Sequence, residues 1–160
     1  MGLEPMAYVR DLGKMLFNWM ADCVYHLGYT RTLMKKKPAD STLDAAWRKA
    51  VLQSYHYRCG MCGLSWESGG LECHHIIRRR KKLTRWDWRN GIPLCADCHP
   101  KAHTKQGELF ISNRHPYYQD LFNLELINFK DYLQAMVLTE NEWRARVLEE
   151  LKGKVRDDDL

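Results

Sequence analysis

Two CxxC pairs, Cys59-Gly60-Met61-Cys62 and Cys95-Ala96-Asp97-Cys98, bring four thiols into metal-knuckle spacing, and His74, His75, His99 and His103 lie between and beside them. A tetrahedral zinc takes four donors, so Cys59, Cys62, Cys95 and Cys98 fill one site by themselves. The histidines then point to a second, working metal beside a structural one. His99 and His103 stand four apart, which on a helix puts both on one face and lets them grip one ion together. His74 and His75 are adjacent, and adjacent side chains on a strand point to opposite sides. One of them can bind metal while the other stays free, and a free imidazole titrating near neutrality suits general-base work. His26, His56 and His115 lack such spacing and read as surface or satisfied core residues.

Charge is informative by location. From Arg78 to Lys105 the chain carries nine Lys or Arg against Asp87 and Asp97, a local excess of +7 in a protein of net charge +5. The remainder is slightly acidic and ends in Asp157-Asp158-Asp159. A basic run taken alone is usually a solvated surface. Here Trp86 and Trp88 interleave with it, and it lies between the two ligand clusters. Arg78, Arg79, Arg80, Lys81, Lys82, Arg85 and Arg89 are therefore candidate phosphate contacts, with indole rings available to pack on sugars or bases. A polyanion such as DNA is the expected partner.

The elements that must position these residues fall into three stretches of a 160-residue chain: 1–40, 41–107 and 108–160. At 45% hydrophobic and 28% charged, the composition is that of a folded protein with a small core. In the first stretch, Leu12, Met15, Leu16, Trp19, Met20, Cys23 and Leu27 form a helical stripe that Gly28 stops, before a basic linker to Asp40. Asp11, Lys14, Asn18 and Asp22 interrupt that stretch, so no signal peptide is expected, and no segment reaches about 18 apolar residues, so no membrane span is expected. An intracellular setting follows, in which paired cysteines serve as metal ligands in preference to disulfides.

Ser41-Thr-Leu-Asp44 resembles a capping box and predicts a helix over 42–55 that buries Leu43, Trp47, Ala50, Val51 and Ser54. Gly60 and Gly63 allow the tight turn of the first CxxC. Strands are expected over 71–77 and 91–94, separated by the basic loop. A short helix is expected from about 96, with Pro100 in its first turn and Gly107 at its end. Beyond it, 108–112 reads as a strand, His115-Pro116 as a turn and 117–137 as mainly helical. Thr139-Glu140-Asn141-Glu142 is a capping box opening a helix to about Lys152. The helices at the two ends offer either core packing or a homodimer face, core packing being the stronger reading.

The run from Cys59 to His103 resembles the HNH endonucleases of the ββα-metal fold. It carries CxxC, then Leu-Glu-Cys-His74-His75-Ile, then Asn90-Gly-Ile-Pro-Leu-Cys95-x-x-Cys98-His99, then His103. The resemblance implies an α+β fold: a small ββα-metal core with a four-cysteine structural zinc, flanked by N- and C-terminal helices. It implies metal-dependent hydrolysis of DNA phosphodiester bonds, by nicking or double-strand cleavage, with 5′-phosphate and 3′-hydroxyl products. By position, His74, His99 and His103 would bind the catalytic divalent ion and His75 would be the general base. Asn90 would hold the loop between the strands or orient that base. Gly91 departs from the family pattern, where Leu is common. Imidazole donors suit Zn²⁺, Ni²⁺ and Mn²⁺ better than Mg²⁺, yet a site with open positions can also run on Mg²⁺. Such nucleases occur in phages, restriction systems, mobile introns and repair, and a compact chain suits a phage or mobile-element nuclease in a bacterial host. The rival readings are a zinc-stabilised, non-catalytic DNA- or RNA-binding module and a structural docking protein.

Overall fold

The computed structural model describes residues 37–155. The helix expected over 7–27 and most of the basic linker lie outside the described residues. Helix α1 (Asp40–Ser54) begins two residues earlier than the Ser41 signal predicts, behind Ala39, and its first turn has no side-chain cap. Asp44 does not close a capping box because stronger partners take it. Its carboxylate accepts from the Trp86 indole at 2.7 Å and pairs with Arg79 and Arg85. Against two guanidinium cations and an indole N–H, a single backbone N–H is the weaker partner for that carboxylate. Leu43, Trp47, Ala50 and Val51 are buried as expected, whereas Ser54 is exposed and donates to the Val51 carbonyl.

After the first CxxC turn, β1 (Glu72–His75) and β2 (Gly91–Leu94) form a two-stranded antiparallel sheet, with His74 opposite Ile92 and His75 opposite Gly91. The first strand stops short of the expected Ile77. The Ile76 N–H still reaches the Asn90 carbonyl at 3.1 Å, but the Ile77 N–H is taken by the Asn90 side chain at 2.6 Å, which replaces the next rung of the ladder. The intervening loop holds α2 (Lys82–Arg85) and a 3₁₀ turn at Trp88–Asn90. Helix α3 (His99–Ala102) follows the second CxxC pair, with Pro100 in its first turn.

Gly107 does not terminate that helix, and 108–112 is not a strand. A second helix, α4 (Lys105–Arg114), starts at Thr104, whose hydroxyl accepts from the Gly107 N–H at 3.1 Å. Its burial follows Gly107 and Ile111, four apart, which is a helical spacing. Gly107 is there for closeness: a Cβ on it would stand 2.0 Å from the Lys101 carbonyl oxygen.

Among the described residues the last stretch continues as three helices joined by short turns: α5 (Tyr118–Glu125), α6 (Phe129–Ala135) and α7 (Glu140–Lys154). Asn128 caps α6 through the Lys130 N–H, which accounts for the break in the expected 117–137 helix. The Thr139 and Glu142 capping box forms as read, and α7 runs through Gly153 to Lys154. The face of α7 considered for a homodimer is used within the chain. Trp143 and Leu151 pack with Leu43, Trp47, Ala50, Val51 and Trp86 in one core, and a second core gathers Leu52, Leu71, Ile92, Leu94, Ala102 and Ile111 around the cysteines. Among the described residues no helix is long and apolar enough to cross a membrane.

Candidate active site and metal centres

The sulfurs of Cys59, Cys62, Cys95 and Cys98 lie within 4.8 Å of one another, with Cys62 and Cys95 at 3.7 Å. A tetrahedral ion with metal–sulfur bonds of about 2.3 Å sets its sulfurs about 3.8 Å apart, so the cluster has the size of a zinc site. Backbone bonds fold both CxxC turns toward it. Gly63 N–H donates to the Cys59 carbonyl, Gly60 N–H anchors the first turn to Pro93 on β2, and Cys98 and His99 N–H groups both reach the Cys95 carbonyl. Burial works to raise the Cys59 thiol, but N–H groups of Cys95, Cys62 and Met61 outweigh it and bring it down to about 6. Burial and the neighbouring sulfurs push Cys98 up. One thiolate in this cluster suppresses the others until a cation neutralises them, so the donor set fits a divalent, thiolate-preferring ion.

A second cluster forms between sheet and helix. His74 projects from β1 toward His99 and His103 at the two ends of α3, with ring centroids 4.7 to 5.4 Å apart. One nitrogen from each lies within 4.8 Å of the others, so the three could hold one ion. Burial and the adjacent His103 and His99 hold His74 down to about 4, which keeps its lone pair free for a metal. Glu72 stands beside the cluster: its carboxylate sits 2.5 Å from His99 Nδ1, which leaves Nε2 as the nitrogen that this ring could offer to an ion. Sequence reasoning missed Glu72, although its signal was present. Glu72 and His74 are two apart on a strand and so share a face.

His75 points the other way. Its Nε2 lies 2.9 Å from the Arg85 carbonyl oxygen. A carbonyl only accepts, so Nε2 carries the proton and Nδ1 keeps the lone pair. The ring lies on Trp47, centroids 3.9 Å apart and 12° from parallel. Burial lowers its affinity for a proton, against the pull of the Arg85 carbonyl.

Asn90 is fully buried. Its Oδ1 accepts from Ile77 N–H, and its Nδ2 donates to the carbonyls of Ile77 at 3.0 Å and Thr84 at 2.8 Å. It holds both ends of the loop whose next residue, Arg85, supplies the carbonyl to His75.

The structure divides the seven candidate phosphate contacts. Arg79 pairs with Asp44, Lys81 with Glu125, Lys82 with Glu140, Arg85 with Asp40 and Asp44, and Arg89 with Asp87. The side chains of Arg85 and Arg89 are only 20% and 19% exposed. Arg78 and Arg80 are exposed and make no ion pair among the described residues.

A two-stranded hairpin, a short helix across it and three imidazoles converging between them define a small α+β domain of the ββα-metal type. Residues 59–105 match the family model for HNH endonuclease, so this stretch is an HNH domain, of a family of nucleases and DNA-binding proteins. No curated protein and no solved structure matches the chain.

Proposed function

We propose that this protein is a metal-dependent endonuclease that hydrolyses DNA phosphodiester bonds to leave 5′-phosphate and 3′-hydroxyl ends. The observation that carries the reading is the divergence of two adjacent imidazoles. His74 joins His99 and His103, while His75 stands apart with one nitrogen free. A zinc-stapled binding module needs only the four cysteines; it has no use for a second donor set or a spare base.

In this reading His74, His99 and His103 hold a divalent ion, which when bound supplies charge to the scissile phosphate and the departing 3′ oxygen. His75 removes the proton from the attacking water at Nδ1, in the neutral form that burial favours. Asn90 keeps the loop in place. Arg78 and Arg80, with Arg79 beside them, meet the phosphate backbone, which carries no sequence information, so sequence preference is weak. Cys59, Cys62, Cys95 and Cys98 hold a structural zinc. The nuclease core spans 41–107, with 1–40 and 108–160 as flanking segments.

The test is supercoiled plasmid incubated with Mg²⁺, Mn²⁺, Ni²⁺ or Zn²⁺. Wild-type protein should relax or linearise it, and His75→Ala should cleave about 10²- to 10⁴-fold more slowly. Equal rates would remove His75 as the base. DNA binding without cleavage in every metal would return the protein to the non-catalytic module.

A further inference from the structure

Asp40, Asp44 and Trp47 stand at i, i+4 and i+7 of α1 and so share one face of the helix. That face grips three consecutive residues of the loop. Arg85 pairs with Asp40 at 2.8 Å and Asp44 at 3.4 Å, the Trp86 indole donates to Asp44 at 2.7 Å, and the Trp47 indole donates to the Asp87 carbonyl at 2.9 Å. The Arg85 carbonyl, first of this run, is the group that holds His75 Nε2.

Trp47 makes a second contact, its ring lying against the His75 imidazole. It reaches that position because Gly91, opposite His75 in the sheet, has no side chain. A Cβ there would stand 2.9 Å from Trp47 Cζ2 and 2.2 Å from Val51 Cγ2.

We propose that Asp44 and Trp47 are positioning residues for the general base. The α1 face fixes Arg85, Trp86 and Asp87 so that the Arg85 carbonyl keeps His75 in its Nε2–H tautomer, and the indole sets the plane of the ring. This rests on the reading of His75 as the base, but its primary readout does not require cleavage. Asp44 is the better probe. Trp47 is 4% exposed and belongs to the core, whereas the Asp44 side chain is 30% exposed and its removal leaves no core void.

Long-range proton–nitrogen correlation spectra of the zinc-loaded full chain at pH 8 report each imidazole tautomer. Wild type should show His75 as one Nε2–H form. Asp44→Ala should shift its nitrogens toward a mixture of tautomers. Asp44→Asn, which keeps an acceptor for Trp86 but loses the charge, should restore part of the wild-type pattern and serves as the probe if the alanine variant does not fold. In the plasmid assay, kcat for Asp44→Ala should fall about tenfold, part of what a positioned base contributes, with KM, zinc content and circular dichroism unchanged. His75 nitrogen shifts identical to wild type in Asp44→Ala would overturn the proposal. A tautomer shift in a protein that cleaves no DNA would support the positioning and refute the nuclease reading alone.

Discussion

Asn90→Ala and Asn90→Asp together test how the loop between the strands is held. The orientation of the wild-type amide follows from its neighbours: Ile77 N–H only donates, so Oδ1 faces it, and the Ile77 and Thr84 carbonyls only accept, so Nδ2 faces them. Asn90→Ala removes all three bonds in a place with no access to water. At about 1 kcal/mol per hydrogen bond the loss is about 3 kcal/mol, and the stranded backbone groups add to it. In a chain of this size that lowers Tm by on the order of 10 °C. Asn90→Asp keeps the shape and the acceptor for Ile77 N–H but turns a carboxylate oxygen toward two carbonyls. Only the protonated acid can donate there, so its folded pKa rises above the ordinary value of about 3.9. The sign follows from proton linkage. A raised acid binds its proton more tightly in the folded state, so the variant is weakest at neutral pH and recovers relative to wild type as pH falls through the folded pKa. Urea unfolding at pH 7 and pH 5 with metal present measures both effects. A loss under about 1 kcal/mol in Asn90→Ala, or an Asp variant that tracks wild type at both pH values, refutes the reasoning.

Three further outcomes are expected. Structural zinc in model fingers binds with about 10 to 16 kcal/mol, comparable to the whole stability of a domain, so stripping the ion from the cysteine cluster should unfold the HNH region. An unchanged circular dichroism spectrum after verified zinc loss would contradict this. Glu72→Ala should weaken metal binding at the histidine cluster about 10- to 100-fold by titration calorimetry, with Glu72→Gln intermediate because it still accepts from His99; equal affinities would show that Glu72 is only a surface charge. Burial holds His75 below its ordinary 6.5 and His74 down to about 4. The neutral forms persist as pH falls below 6.5, so the acid limb of the cleavage profile lies below that value and activity is lost only as pH drops through the folded pKa. In metal-free protein the unfolded chain takes up these protons first, so stability declines from pH 6.5 toward 4. An acid limb above 6.5 would rule out His75 as the titrating base.

Some of the fold was written in short-range pattern and some was not. The Thr139 and Glu142 box could be read because both halves of the cap lie within one turn. The box at Ser41 had the same appearance and failed, because Asp44 found Arg79, Arg85 and Trp86 instead. Gly107 looked like a stop signal, but a carbonyl six residues back decides what fits there. Residues 108–112 read as a strand, yet Thr104 begins a helix that runs through them.

The sequence by itself offered both candidate donor sets, and the resemblance to HNH endonucleases, not the spacing, put His74 rather than His75 with His99 and His103. Metal binding demands particular donor atoms, CxxC turns and an i, i+4 pair are local geometry, and the two-residue repeat of a strand separates His74 from His75 without knowledge of what surrounds them. Only the tertiary structure decided what each side chain meets. The basic loop was legible as charge, but the carboxylates that claim Arg79, Arg85, Lys81 and Lys82 lie 35 to 58 residues away in the chain. Trp47 was legible as a core residue; that its ring lies against His75 depends on α1 closing onto the sheet where Gly91 leaves room. Local pattern specifies which atoms are offered, and packing between distant segments specifies which of them are left free to act.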